Sequence, residues 1–191
     1  MEQVLKTQNN DDRKVSGEFI NLAGERYYAI YNVDKIDPFF VSVISDKDHW
    51  LFISSTGGLS AGRVSPETSL FPYITVDKIH ESTTHTGSKT MLHVHQNGER
   101  HNWEPFNCEH DGIFSVTRNL YKNRLGSKLC FEEINHDLEL AFRYTWVTSD
   151  EYGFSRQCEL ENLGEKPASV EMIDGLQNIL PANAPRFAQT N

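Results

Sequence analysis

The chain has 191 residues, which fits one large all-β domain or two small ones and lets roughly 70% of the unfolded surface be buried without staples. Its 27 acidic residues against 18 basic ones leave a net charge of −9 with no basic cluster, which excludes a phosphate backbone as an obvious partner, since no surplus of Lys and Arg is available to displace counterions. Cys108, Cys130 and Cys158 are odd in number and lack a CxxC spacing, so they read as buried thiols of a reducing compartment and not as a disulfide framework or zinc cluster.

Residues 1–15 are polar and charge-rich and are expected to be a flexible N-terminal tail ahead of a single β-sandwich domain over 16–191. This start has no apolar export core and no long apolar run follows it, so a cytoplasmic chain without a membrane partner is expected. Phe19 to Val33 alternates imperfectly and predicts two strands joined at Ala23-Gly24-Glu25. Phe39–Ile44 and His49–Ser54 predict two more. From Ser54 to Pro72 the alternation vanishes into a stretch with glycines at 57, 58 and 62 and prolines at 66 and 72, expected to be a long loop, functional or disordered. Those glycines lack GxxxxGK[ST] and GxGxxG, so no nucleotide cradle is indicated. Tyr73–Ile79 predicts a return to strand.

Asn97-Gly98 is the preferred two-residue turn of a hairpin. With Gln96 paired to Glu99, Leu92 opposes Trp103 and Val94 opposes His101 on a core face, while His93 opposes Asn102 and His95 opposes Arg100 on a polar one. Ile113–Leu120 and Lys128–Ile134 are further strands. From Leu138 to Trp146 every second residue is apolar; Phe154–Glu161 alternates likewise, except that Arg156 falls on the apolar side without an evident reason. Asn162 to Pro167 carries a turn signature, and Ala168, Val170 and Met172 resume the alternation. No segment sustains a helical period. The expected fold is all-β, an antiparallel two-sheet sandwich.

Chemistry is harder to place. His93 and His95 share a strand face and are the candidates for a metal site, but the hairpin register turns Glu99 away from them and no second ligand set follows; no metal and no cofactor are expected. Glu132-Glu133 reads as a solvated strand edge, no carboxylate pair stands out for sugar hydrolysis, and no GxSxG or Cys/His grouping marks a nucleophile. No catalytic residue is assigned.

Three stretches carry a resemblance: STGGLSAGRVSPETSLFPYITVDKI, WEPF followed by FSVTRNLYKNRLGSKLCFEEINHDLELAFRYTW, and CELENLGEKPASVEMIDGLQNILP. A Gly-Gly loop closing on Tyr73, a Trp-x-Pro at Trp103 to Pro105 and a Leu-Glu-Asn-turn-Pro pair at Leu160 to Pro167 resemble the N-terminal β-sandwich of the cellobiose phosphorylase-like family, glycoside hydrolase family 94, over nearly everything after residue 17. The resemblance implies a galactose-mutarotase-like supersandwich that serves carbohydrate binding, dimerisation or as an active-site lid, with the catalytic acid on a separate helical barrel. It also implies a sandwich left open at the C-terminus, a fragment of a longer protein, and homodimerisation. By position, the substrate-side loop corresponds to Gly57, Gly58, Ser60 and Arg63. Alternatives are a free-standing mutarotase-like epimerase, using a histidine and a carboxylate on the concave sheet face, and a cupin-like metal-binding protein.

Overall fold

The computed structural model describes residues 13–181 and Ala184. In chain order the strands are β1 (Ser16–Leu22), β2 (Glu25–Tyr31), β3 (Phe40–Val43), β4 (His49–Ser54), β5 (Leu59–Arg63), β6 (Gly87–Gln96), β7 (Glu99–Trp103), β8 (Val116–Asn123), β9 (Lys128–Asn135), β10 (Leu140–Ser149), β11 (Gly153–Asn162) and β12 (Ser169–Gln177). All pairings between these strands are antiparallel, and the only helical pieces among the described residues are short 3-10 turns. The protein is an all-β sandwich.

One layer is a six-stranded sheet in the order β1-β2-β8-β9-β10-β11; the opposing strands form two three-stranded sheets, β3-β4-β5 and β12-β6-β7. Alternation decides which side chains meet. Leu129 and Phe131 of β9 and Leu140, Phe142, Tyr144 and Trp146 of β10 fall on one face, registered as Tyr144 opposite Phe131 and Trp146 opposite Leu129. They share one buried cluster with Val43, Leu51 and Ile53 from one small sheet and Leu92, Val94 and Trp103 from the other. The Asn97-Gly98 hairpin has the expected register throughout, Gln96 opposite Glu99 and Leu92 opposite Trp103. Positive φ at both turn residues, 53° and 84°, is what that dipeptide supplies.

Four expectations need correction. The stretch from Ser54 to Pro72 contains β5, a buried strand of Leu, Ser, Ala and Gly; small side chains on both faces erase the alternation that marks a strand. Tyr73–Ile79 forms no strand, because Lys78 N–H closes a turn onto the Thr75 carbonyl (3.0 Å) and Ile79 opens a 3-10 turn. The last strand leaves β11 behind and pairs with β6 instead. Cys108 and Cys158 are exposed and Cys130 is only partly buried, all three as free thiols. Of the expected tail, residues 1–12 lie outside the described residues and 13–15 carry no regular structure. No helix among the described residues is long and apolar enough to cross a membrane.

Candidate functional site

Where the two layers diverge beside the β4–β5 turn, they leave a cavity of about 220 Å³ lined by Gly57, His80, Ser88, Lys89, Thr90, Glu104, Phe106 and Tyr144 among others. The β4–β5 turn builds one side: Ser54 N–H donates to the Gly58 carbonyl (2.7 Å) and Gly57 N–H to the Ser54 carbonyl (2.8 Å). Thr56 Oγ1 is 2.7 Å from both Ser54 Oγ and Thr83 Oγ1, tying this turn to the segment before β6. Gly57 has φ +96°, and a Cβ there would sit 3.0 Å from Tyr144 Oη; a side chain would strain the backbone and press on the tyrosine. The opposite side carries the ion pair of Lys89 and Glu104.

Tyr144 is the aromatic floor. Its ring stacks on Phe131 at 4.7 Å and meets Phe106 edge-on at 5.1 Å, and burial raises its phenol above the ordinary range. Behind it lies Arg156, whose place on an apolar period now has an explanation. Its guanidinium sits 5.0 Å from the Tyr144 ring centroid, Nε donates to Ser88 Oγ (2.7 Å), and Nη1 and Nη2 donate to the two oxygens of Asp174 (2.8 and 2.9 Å). Only 7% of the Arg156 side chain is exposed. Thr90 Oγ1 also donates to Asp174 (2.6 Å). Although burial pushes the other way, the hydrogen bonds from Arg156 and Thr90 hold the Asp174 carboxyl below its ordinary value. This fork joins β11 to β12 and β6, and so fixes one wall of the cavity.

The other wall depends on Glu133, which is 1% exposed. Its carboxylate accepts from Trp103 Nε1 (2.8 Å), from the Phe106 backbone N–H (2.7 Å) and from Arg118 Nε (2.7 Å). Phe106 is thereby held at φ +64°, a conformation unusual for an aromatic residue and costing on the order of 1–3 kcal/mol. Phe106 borders a second cavity of about 250 Å³ that includes Arg118, Asp111 and Cys108. Glu132, its neighbour, points to the opposite sheet face, where Tyr121 Oη (2.6 Å), Asn119 Nδ2 (2.8 Å) and Arg143 hold it. The reading of Glu132-Glu133 as a solvated edge is therefore corrected. A charge on an apolar period was the available signal: Glu133 follows Leu129 and Phe131 on one face, as Arg156 follows Phe154.

Of the expected loop residues, Gly57 alone lines the cavity. Gly58 and Ser60 are buried, and a Cβ added at Gly58 would collide with the Ile79 carbonyl and the Ser82 side chain. Arg63 is exposed at the far end of β5. His93 and His95 share a solvent-facing surface with Glu171 of β12 (3.6 and 3.9 Å), but the Arg100 guanidinium occupies the His93 ring nitrogen. Among the described residues no group of three or more His, Cys, Asp or Glu is arranged to hold a metal ion. His80 and Glu104 are cavity residues that sequence reasoning missed; His80 lies just past the expected strand Tyr73–Ile79, and neither belongs to a periodic pattern.

No protein-family model and no curated protein matches this chain.

Proposed function

We propose that this chain is a non-catalytic carbohydrate-binding β-sandwich module, of the kind that precedes the catalytic barrel in glycoside phosphorylases, and that the cavity beside Gly57 is its sugar subsite. The observation carrying this reading is the lining itself: hydroxyls of Ser88 and Thr90, the Lys89–Glu104 pair and the Gly57 backbone surround the part-exposed ring of Phe106, with the buried Tyr144 beneath it. A hexose presents an apolar ring face and a rim of hydroxyls, and a small concave site with a few convergent polar groups suits it. The non-catalytic part rests on the two buried carboxylates, each committed to an arginine and on opposite sheet faces. A cytoplasmic setting and a homodimer belong to the same reading. Titration of the labelled protein with glucose and cellobiose, followed by amide NMR, tests it. Shifts confined to Gly57, Ser88, Thr90 and Phe106, with Kd on the order of 1 mM and lost in Lys89→Ala, are expected. Shifts elsewhere, or none, refute it.

A second reading is favoured by one observation: His80 and Glu104 line the same cavity, the residue types a mutarotase-like epimerase would use as base and acid. Polarimetry on freshly dissolved glucose decides between them. Acceleration that disappears in both His80→Ala and Glu104→Gln would replace the binding module with an enzyme.

A further inference from the structure

The six-stranded sheet is wider than what covers it. Beyond β3 its inner face continues through β8 and β2 to β1, and the step leaves an apolar groove of about 690 Å³ lined by Phe19, Tyr28, Ile30, Phe40, Ile44 and Leu125 among others. Phe19 is 61% exposed and Leu125 75%, a cluster that a solitary soluble surface seldom presents.

Two independent features say what this groove fits. The first is main chain. β3 pairs with β4 alone, and Ser55 N–H donates to the Phe39 carbonyl (2.7 Å). That fixes the alternation: with Phe40 opposite Ser54 and Ser42 opposite Phe52, Val41 and Val43 spend their amides on β4, while Phe40 and Ser42 turn theirs toward the groove. Ile44 confirms the phase, since its N–H leaves β4 and reaches Gly126 (2.8 Å). The second feature is charge. Lys122 and Arg124 are the charged residues lining the groove, and Arg26 lies 4.5 Å over the Phe19 ring at its end. Lys122 stands opposite Tyr28 on the inner face, and burial lowers its pKa below the ordinary ammonium value. None of the three forms an ion pair among the described residues. In a chain of net charge −9, cations with no ion-pair partner among the described residues, gathered at one apolar step, are complementary to an anion; they repel a second copy of the same step.

We infer that this groove docks an extended segment of a partner protein, added as a strand to the free edge of β3, with apolar residues facing Ile30 and Phe19 and a carboxylate meeting Lys122 and Arg124. Main-chain pairing supplies affinity and the alternate side chains supply selection, the usual logic of strand addition. This docking is separate from the sugar subsite.

The test is selection of short random peptides, displayed on phage, against the full chain. Peptides of alternating apolar pattern with Asp or Glu are expected to be enriched. Their synthetic versions should bind about tenfold or more weakly to Lys122→Glu/Arg124→Glu, and the same selection on that variant should return basic residues. Ser42→Pro removes an outward N–H without touching the β3–β4 ladder; it should abolish binding while leaving the thermal midpoint near that of the parent. Hydrogen exchange should show Phe40 and Ser42 amides protected only when peptide is bound. Enrichment of peptides without acids, binding indifferent to Ser42→Pro, or no enrichment at all overturns the inference. So does a concentration-dependent dimer in sedimentation that Ile44→Glu disperses, because a second copy would then fill the step.

Discussion

Replacing Glu133 by alanine strips one acceptor from three donors at once: Trp103 Nε1, Phe106 N–H and Arg118 Nε, all within 2.7–2.8 Å. Removing one partner of a buried ion pair costs about 3–5 kcal/mol. Asp111 still holds Arg118 Nη2 at 2.8 Å, so the lower end applies. The stranded indole and amide N–H groups add about 1 kcal/mol each. The total, about 5 kcal/mol, is at least a third of the 5–15 kcal/mol that stabilises a typical domain and corresponds to a fall in Tm of roughly 10–20 °C. Urea denaturation followed by tryptophan fluorescence is the natural assay, since Trp103 belongs to the clamp. Glu133→Gln, which keeps the shape and loses the charge, should fall about midway. Glu133→Leu combined with Arg118→Leu should recover most of the loss, because it leaves no uncompensated charge. If Glu133→Ala unfolds within about 1 kcal/mol of the parent, or if the double variant is no more stable than the single one, the assignment of Glu133 as the organiser of the Phe106 wall fails.

The Asp174 carboxyl, held below its ordinary value, contributes stability that is present above the unfolded carboxylate pKa of about 3.9 and is lost as pH falls through the lower folded value. Asp174→Asn should therefore lower the thermal midpoint at neutral pH and converge on the parent in acid; a gap constant across a calorimetric pH series would contradict this. Gly57→Ala should cost roughly 1–3 kcal/mol through its +96° φ and also weaken sugar binding by pressing on Tyr144, while Gly112→Ala, also at positive φ but with nothing near its Cβ, should leave sugar binding intact. The Cys158 thiol, exposed at its surface yet crowded by Arg156 and Asp174, is pushed up to about 11 by partial desolvation and by its hydrogen bond to Asp174, against the opposing pull of the Arg156 charge. It should alkylate with iodoacetamide at pH 8 far more slowly than a free thiol with pKa of about 8.5, and faster in Asp174→Asn; mass spectrometry of the peptides reads the rates.

The hairpin at Asn97-Gly98 and the strand from His49 to Ser54 were legible because turn chemistry and alternation agree there. β5 was not, since Ser60, Ala61 and Gly62 give no contrast between faces. The partner of β12 was invisible for a different reason: pairing with β6 joins residues about 80 positions apart, and nothing local records it. Charges on an apolar period were the most informative misfits. Arg156 stood out in the sequence and Glu133 did not, yet both serve the same purpose of tying sheet to sheet. The cavity itself was half visible through Gly57, whereas His80, Lys89 and Glu104 converge only once the layers have closed.

Glu132 and Glu133 are consecutive, and the sheet sends one to each side, each to its own arginine. Were β9 to slip by a single step against its neighbours, one arginine would meet the other acid, but its counterpart would be left against Phe131 or Ile134, and the apolar residues of β9 would turn out of the core. The two adjacent anions thus act as a proofreading device for strand alignment: whichever way β9 slips by one residue, one part-buried guanidinium is stranded.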